Sequence, residues 1–325
     1  MLVSCIFVLI GLALLIYGAD MFVNGASSIA RQLGMPPLII GLTIVGFATS
    51  APEILVGSVS ALQDKTAIAI GNALGSNITN IGLVLGISVL MLPITVASGT
   101  IKREYGLMCI ALILALLLML DGHLSRIDAI ILLVALIGSL GWIVWIAKKS
   151  SANDPLIGEF EQELSEVNPD PTKIAVVKLL IGLILLVGGA DLLVRGAVFI
   201  AESYGVSDLV IGLTIVAIGT SLPELAASIA SILKKEADIA IGNIIGSNMF
   251  NILAVLGIPA LINPDYFASE VLTRDYPAMV GLSLLLGAMI FISSKGKLVR
   301  TEGAILLACF MGYQYVLFSQ SIMTT

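Results

Sequence analysis

Two glutamates lie inside long apolar stretches of this chain, at matching positions of a repeated motif. Glu53 ends the segment T-S-A-P-E, and Glu224 ends the segment T-S-L-P-E, 171 residues later. The same offset relates G-N-A-L-G-S-N-I-T-N, which begins at Gly71, to G-N-I-I-G-S-N-M-F-N, which begins at Gly242. Carboxylates are costly to place in hydrocarbon and usually have a function there. A duplicated carboxylate among hydroxyl and amide residues predicts a cation-binding site.

A proline precedes each glutamate and should bend the helix that carries it. Pro52 and Pro223 have no backbone N–H, and each ring presses on the carbonyl four residues earlier. We therefore expect the carbonyls from Gly46 and Ala217 onward to lack helical partners. In hydrocarbon such carbonyls need another partner, and a bound cation is one.

Hydroxyl groups share the helix face of each glutamate. Thr49 and Ser50 precede Glu53 by four and three residues, a spacing that places side chains on one face. The second copy repeats this spacing with Thr220 and Ser221. The alternative is a kinked helix whose hydroxyls bond back to the backbone, but this does not explain a carboxylate within an apolar helix.

The second motif predicts a polar stripe on one helix face in each copy. Its members recur every four residues, at Asn72, Ser76 and Asn80 and at Asn243, Ser247 and Asn251. Alone, these stripes would favour hydrogen bonding between helices; beside the glutamates they favour oxygen ligands. Asn77 and Asn248 lie off the stripe and are predicted to serve packing or to brace the kink. Glycines four apart should let these helices approach closely.

The inventory of side chains favours hard cations over transition metals. Carboxylate, amide, hydroxyl and carbonyl oxygens suit calcium and sodium. Cys5, Cys109 and Cys309 sit in separate apolar runs and are predicted as small core residues. The single histidine, His123, is predicted to be an ordinary loop residue.

The charge of the predicted site favours exchange of ions over leakage. Two carboxylates balance one calcium ion, and the same site, empty and ionised, would be unfavourable in a bilayer. A protein with an unfavourable unloaded form exchanges one cation for another, which is the behaviour of an antiporter.

The composition indicates a polytopic membrane protein, since 58% of the residues are hydrophobic and 12% are charged. Soluble domains average about 25% charged residues. Most of the apolar segments reach the length of about 20 residues that spans a bilayer as a helix. Ten can be drawn, at residues 2–19, 38–62, 67–92, 104–120, 127–147, 174–200, 208–233, 238–262, 276–293 and 302–319.

The duplication divides the chain into two halves of five predicted spans. Residues 1–147 form the first half, residues 174–325 form the second, and residues 148–173 form a polar, acidic linker. An odd number of spans turns the second copy over, which gives an inverted repeat typical of secondary transporters. With both termini outside and the linker cytoplasmic, 12 of the 16 Lys and Arg residues lie on the inner side. The predicted fold is therefore an all-α membrane protein of ten helices, kinked at the second and seventh.

The paired motifs resemble the α-repeats of the cation/calcium antiporter superfamily, and most closely the prokaryotic sodium/calcium exchangers. The resemblance covers nearly the whole chain. It implies ten helices in two inverted five-helix halves, with four central ion sites on the second, third, seventh and eighth helices. It also implies exchange of three sodium ions for one calcium ion by alternating access, with no cofactor other than the transported ions.

The resemblance further implies a role for individual residues. The carboxylates shared by the calcium and sodium sites correspond to Glu53 and Glu224. The residues whose backbone carbonyls bind calcium correspond to Thr49 and Thr220. One outer sodium site corresponds to Ser50, Ser247 and the carbonyl of Gly46. The other corresponds to Ser76, Ser221 and the carbonyl of Ala217. The two central polar residues correspond to Asn80 and Asn251.

Two positions depart from the family pattern. Ala48 stands where the first motif usually has glycine, and it supplies no ligand. Asn251 stands where sodium/calcium exchangers often have aspartate, although many prokaryotic members have asparagine. This second departure leaves open the charge at the centre of the site and any coupled proton.

Three alternatives remain at this point. Proton/calcium or potassium-dependent exchange would use the same carboxylates, because burial disfavours their charged form. A cation channel could use kinked helices, although the inverted repeat argues against it. An intramembrane hydrolase is disfavoured because Ser50 has no buried histidine and because Asp20 and Asp191 lack the pattern of a catalytic pair.

The predicted partners are calcium, sodium and the lipid bilayer of the plasma membrane. The sequence predicts neither nucleic acid nor an obligatory protein partner, and it predicts no enzymatic activity.

Overall fold

The computed structural model describes residues 2–33, 37–62, 64, 66–95, 99–150, 170–203, 217–293 and 297–323. Most of the predicted linker, residues 151–169, lies outside this set; residues 148–150 and 172–173 belong to the flanking helices, and residues 170–171 precede the second of these. Uninterrupted long helices span Leu2–Gln32, Gly99–Met119, Arg126–Ser150, Thr172–Ser203 and Arg300–Met323.

The remaining long helices contain turns of π-helix. One comprises Pro37–Ile40, the π-segment Gly41–Val45, and Gly46–Thr49. Another comprises Val271–Asp275 (π), Tyr276–Ala288 and Met289–Ser293 (π). The first Asn helix comprises Thr66–Thr79, Asn80–Leu85 (π) and Gly86–Met91, and the second comprises Ala237–Phe250, Asn251–Val255 (π) and Gly257–Ile262.

Two short helices carry the glutamates. The first Glu helix is Ala51–Leu62, and the second is Leu222–Leu233, which follows the short helix Ala217–Thr220. The two Glu helices are related by the same offset of 171 residues as the two Asn helices.

Seven helices of the described residues are long and apolar enough to cross a membrane, or eight if the bent pair Gly41–Thr49 and Ala51–Leu62 is one span. Two further predicted spans are not long and apolar enough in the described residues to be counted as membrane-spanning, and each has an identifiable reason. Gly99–Met119 begins with three charged residues, Lys102, Arg103 and Glu104. The span predicted at 208–233 lies partly outside the described residues, which leaves the twelve-residue second Glu helix. The chain is a helical membrane protein.

Helix Leu2–Gln32 packs antiparallel against helix Thr172–Ser203, backbone against backbone. Glycines every seven residues line both faces, at Gly11, Gly18 and Gly25 and at Gly182, Gly189 and Gly196. A methyl group at Gly25 would lie 2.5 Å from the backbone nitrogen of Leu179. Small residues give such close approach where lipid supplies no hydrophobic drive.

Four two-residue strands join the loops, a feature that the all-α prediction omitted. Strand β1 (Ile94–Thr95) pairs antiparallel with β4 (Lys297–Leu298), and β2 (His123–Leu124) pairs with β3 (Asp265–Tyr266). Each pairing joins the first half of the chain to the second. These pairings satisfy backbone groups in the loops that would otherwise lack partners.

The two Asn helices occupy the centre of the molecule. In the most apolar stretch of the second Asn helix, Ala237–Ile262, 89% of the residues are buried. In the corresponding stretch of the peripheral helix, Arg126–Ile143, 17% are buried. The cysteine prediction was wrong in part, because Cys5 and Cys309 are exposed and only Cys109 is half-buried. Exposed apolar positions on peripheral helices suit contact with lipid, which sequence hydrophobicity does not distinguish from core.

Candidate functional site

Each Glu helix begins at a break in the chain. Ser50 and Ser221 leave the helical conformation in the same way, with φ/ψ of −81°/2° and −91°/6°. In the first copy the two helical segments meet at 45°. The cause is the proline two residues later, Pro52 or Pro223, which removes a helical donor. Each glutamate therefore sits in the first turn of a new helix, where the positive end of the helix dipole favours a carboxylate.

The prediction that Gly46 would lack a helical partner was wrong. The Gly46 carbonyl accepts the Ser50 N–H at 3.1 Å. It also lies 3.4 Å from the hydroxyls of Thr49 and Ser247. Pro52 removes the donor for the carbonyl four residues before it, which is two residues past Gly46. A carbonyl has two lone pairs, so the Gly46 oxygen still faces a hydroxyl of the second Asn helix.

The second copy has a tighter turn at the matching place. The Ser221 N–H donates to the Ile218 carbonyl, three residues back, at 3.1 Å. Ala217 begins the helix Ala217–Thr220, and residues 204–216 lie outside the described set.

The two glutamates lie close together in the interior. Both are 0% exposed. The Glu53 carboxylate lies near Glu224 and beside Thr220, and the Glu224 carboxylate lies beside Thr49 and Ser50. Among the described residues, none of the four carboxylate oxygens has a hydrogen-bond partner of normal geometry. Each glutamate thus faces the hydroxyls of the opposite copy.

Other buried oxygens share this lack of partners. Within the described chain they include the hydroxyls of Ser50 and Ser221, the Asn80 Oδ1 and the Asn251 Oδ1. Ser76 is also buried. Burying a polar group without a hydrogen bond is unfavourable, and burying an unpaired charge is far more so. A hard cation is the group that fits a set of buried oxygens with two negative charges.

Thr49 connects the first copy to the second Asn helix. Its hydroxyl lies 3.0 Å from Asn243 Oδ1, 3.1 Å from the Val45 carbonyl oxygen of its own helix and 3.2 Å from the Ser247 hydroxyl. Asn243 Nδ2 in turn donates to the Ser228 hydroxyl at 3.2 Å. The sequence prediction omitted Ser228, although its spacing of four residues from Glu224 places it on the same helix face.

The first Asn helix braces the first Glu helix. Asn72 Nδ2 donates to the Glu53 backbone carbonyl at 3.3 Å. Further along, Asn80 Nδ2 donates to Asn248 Oδ1 at 3.3 Å. Both π-segments of the Asn helices begin at the asparagine of the site, Asn80 or Asn251. Such widened turns occur frequently at functional sites.

Asp20 and Asp191 lie elsewhere, well inside helices Leu2–Gln32 and Thr172–Ser203, where both are exposed and form ion pairs. Asp20 pairs with Lys234 at 2.5 Å, and Asp191 pairs with Arg195 at 2.8 Å. No group of three or more His, Cys, Asp or Glu side chains is arranged to hold a metal in the described part of the chain. Charge at the candidate site therefore comes from the two glutamates.

Comparison with known proteins gives one family. Residues 3–145 and 174–319 match the family model of the sodium/calcium exchanger protein. The chain is 51% identical over 320 residues to "Putative antiporter CaxA" of Alkalimonas amylolytica, covering 98% of this chain and 100% of that protein. It is 32% identical over 359 residues to the sodium/calcium exchanger MaX1 of Methanosarcina acetivorans, covering 97% and 99%.

The fold has a solved counterpart. The sodium-calcium exchanger NCX_Mj, in crystals soaked with zero Na+ and Ca2+, aligns with a TM-score of 0.83 at 34% identity. The alignment covers 97% of this chain and 99% of that one.

Proposed function

Because the chain belongs to the sodium/calcium exchanger family, we propose that it is a secondary antiporter that moves calcium against sodium by alternating access. The proposed stoichiometry is three sodium ions for one calcium ion. Ten spans in two inverted halves would carry it, joined by the linker at 148–173. The proposed location is the plasma membrane, with both termini outside.

The observation that carries the proposal is a pair of buried carboxylates that have no hydrogen-bond partner of normal geometry among the described residues. Glu53 and Glu224 bring two negative charges into the interior, and no described side chain offsets them. One calcium ion or several sodium ions would balance this charge. Because the two cations would use the same carboxylates, binding of one excludes the other, which is what coupled exchange requires.

The remaining ligands follow from the oxygens around this pair. We assign calcium to the glutamates and to the backbone carbonyls of Thr49 and Thr220. We assign sodium to the flanking oxygens, and Asn80 and Asn251 to the centre of the site. The flanking set is Ser50, Ser247 and the Gly46 carbonyl, and Ser76, Ser221 and the Ala217 carbonyl. The hydroxyls of Ser50 and Ser221 have no hydrogen-bond partner of normal geometry within the described part of the chain, which supports this assignment.

The inverted arrangement has support in the packing. Helices Leu2–Gln32 and Thr172–Ser203 occupy matching places in the two halves and run antiparallel in contact. The strand pairs β1–β4 and β2–β3 each join a loop of one half to a loop of the other. A second half turned over relative to the first produces such crossed pairings.

The test is radioactive calcium uptake into proteoliposomes of the purified protein, with sodium, potassium and proton gradients imposed singly. We expect an outward sodium gradient at constant pH to drive calcium uptake. Uptake driven only by the pH gradient would identify a proton/calcium exchanger. Calcium entry that needs no counter-ion gradient and carries current would identify a channel, and either result would overturn the proposal.

A further inference from the structure

The asparagine that follows serine in each G-S-N segment makes an unusual contact. Asn77 Nδ2 donates to the Met279 thioether sulfur at 3.4 Å, and Asn248 Nδ2 lies 4.0 Å from the Met108 sulfur. Both asparagines are buried. The two methionines are separated by 171 residues, as are the two asparagines, so each half contributes one methionine and one asparagine.

A thioether fixes which end of an amide faces it. Sulfur in methionine accepts hydrogen bonds and cannot donate them, so the NH2 group is the end of the Asn248 amide that can bond to Met108. Its Oδ1 then faces the other way and accepts the Asn80 Nδ2 at 3.3 Å. The Asn80 Oδ1 is the last atom in this series of contacts, and it has no hydrogen-bond partner within the described residues.

The repeat-related set, Met279, Asn77 and Asn251, has the same parts with the last contact open. The Asn77 Oδ1 is buried without a partner among the described residues, and so are both polar atoms of the Asn251 amide. The donor on Asn251 complements the acceptor on Asn77. Their segments, Thr66–Thr79 and Asn251–Val255, are in contact. The Asn80 amide is therefore fixed by Asn248, whereas no described residue holds the Asn251 amide.

We infer that Asn248 and Asn77, each oriented by a methionine thioether, are positioning residues for the central amides of the cation site. Asn248 holds the carbonyl oxygen of Asn80 toward the bound cation, and Asn77 is placed to do the same for Asn251. An amide turned the other way would present NH2 hydrogens and repel the cation. The inference rests on the proposed function, because it requires a cation between Glu53 and Glu224.

A double-mutant cycle tests whether Asn248 acts through Asn80. Calcium dissociation constants would be measured by equilibrium dialysis for the parent, Asn248→Ala, Asn80→Ala and the double variant. We expect Asn248→Ala to weaken calcium binding about fivefold, as for one lost hydrogen bond. In the Asn80→Ala background the same change should have less than about a twofold effect, because coupled residues are not additive.

Met108→Leu gives a second cycle with little change of side-chain volume. It should weaken calcium binding about two- to threefold in the parent and not in Asn80→Ala, since a thioether is a weak acceptor. If Asn248→Ala fails to fold, this cycle alone decides. The matched control is Ser88→Ala, which alters a buried serine of the first Asn helix, the helix of Asn80, and should leave calcium binding unchanged.

Additive losses in both cycles would show that Asn248 and Met108 act by packing, and would overturn the inference. Sodium-driven calcium uptake by the parent separates this outcome from failure of the proposed function. A parent that transports calcium and gives additive cycles refutes only the positioning role. A parent that neither binds nor transports calcium refutes both.

Discussion

The carboxylates of Glu53 and Glu224 and the hydroxyls of Ser50 and Ser221 are buried. None of them has a hydrogen-bond partner of normal geometry among the described residues. In most proteins such groups are paired, and exceptions need an explanation. Here these four side chains lie where two helix breaks meet. Two buried carboxylates that face each other repel when ionised, so this cluster is poorly suited to hold a structure together and well suited to hold a cation.

We predict that Glu53→Gln and Glu224→Gln each abolish calcium exchange in a folded protein. Glutamine keeps the size of the side chain and one oxygen, but it removes half of the charge that balances calcium. Sodium-driven uptake of radioactive calcium is the measurement. Glu270→Gln, which alters an exposed carboxylate, is the control and should exchange normally. Robust exchange by either site variant would refute the assignment.

We predict that Asn251→Asp makes exchange more sensitive to acid, and that Asn80→Asp does the same. A third carboxylate in a shared, desolvated site takes up a proton more readily than an isolated one, so protons compete with calcium as the pH falls. The measurement is sodium-driven calcium uptake between about pH 6 and 8. The structure adds a difference between them, because Asn80 donates to Asn248 whereas the Asn251 amide has no described partner.

Asn80→Asp therefore places an acceptor against the Asn248 oxygen and should also lower thermal stability, whereas Asn251→Asp should not. Identical pH profiles in both variants and the parent would mean that these amides do not face the carboxylates.

At the scale of elements, the site depends on close contact between backbones. The helix that precedes the first break lies directly against the second Asn helix. A methyl group at Gly246 would lie 2.2 Å from the Leu42 carbonyl oxygen, and one at Gly41 would lie 2.5 Å from the Ile239 carbonyl oxygen. This contact holds Gly46 and Thr49 beside Ser247.

We predict that Gly246→Ala destabilises the protein by about 1–3 kcal/mol, the usual effect of an overpacked contact. The added methyl group cannot fit unless the two helices separate, which also moves Ser247 from Thr49. Thermal unfolding in detergent and calcium affinity are the measurements. Gly281→Ala is the matched control, since no described atom lies within 4 Å of its added methyl group. Equal stability of the two variants would contradict the close packing.

At the scale of the whole molecule, the two halves meet through packed helices and paired loops, and the linker is only one of their connections. The described end of the linker is anchored, because Asp170 pairs with Lys178 at 2.5 Å and its carbonyl accepts the Gln32 side chain. Arg31 of the first half also pairs with Glu236 of the second at 2.8 Å.

We predict that replacing residues 153–167 by a short Gly/Ser linker leaves exchange within about twofold of the parent, because the sequence there is polar and outside the repeat and a change of linker length costs little free energy. The replacement retains Asp170 and its contacts. Uptake by the variant, compared at equal amounts of monodisperse protein, is the measurement. Loss of all exchange in a well-folded variant would make the acidic linker part of the mechanism.

Much of the candidate site could be predicted from the sequence because its motifs occur twice in the chain. The offset of 171 residues identifies Glu53 with Glu224 and each Asn helix with the other. Proline two residues after serine determines where each helix breaks, which is a local steric effect. Hydrophobic composition determines that the chain spans a membrane, since the bilayer imposes length and polarity on each helix.

The tertiary structure alone decided how the amides and carbonyls are used. Gly46 keeps its helical partner and still faces Ser247, a contact between residues far apart in the chain. The methionine that faces Asn248 lies in another helix, 140 residues away, and apolar periodicity does not distinguish it from other core residues. Orientation of an amide depends on its neighbours in space, and sequence spacing carries no information about them beyond a single helix.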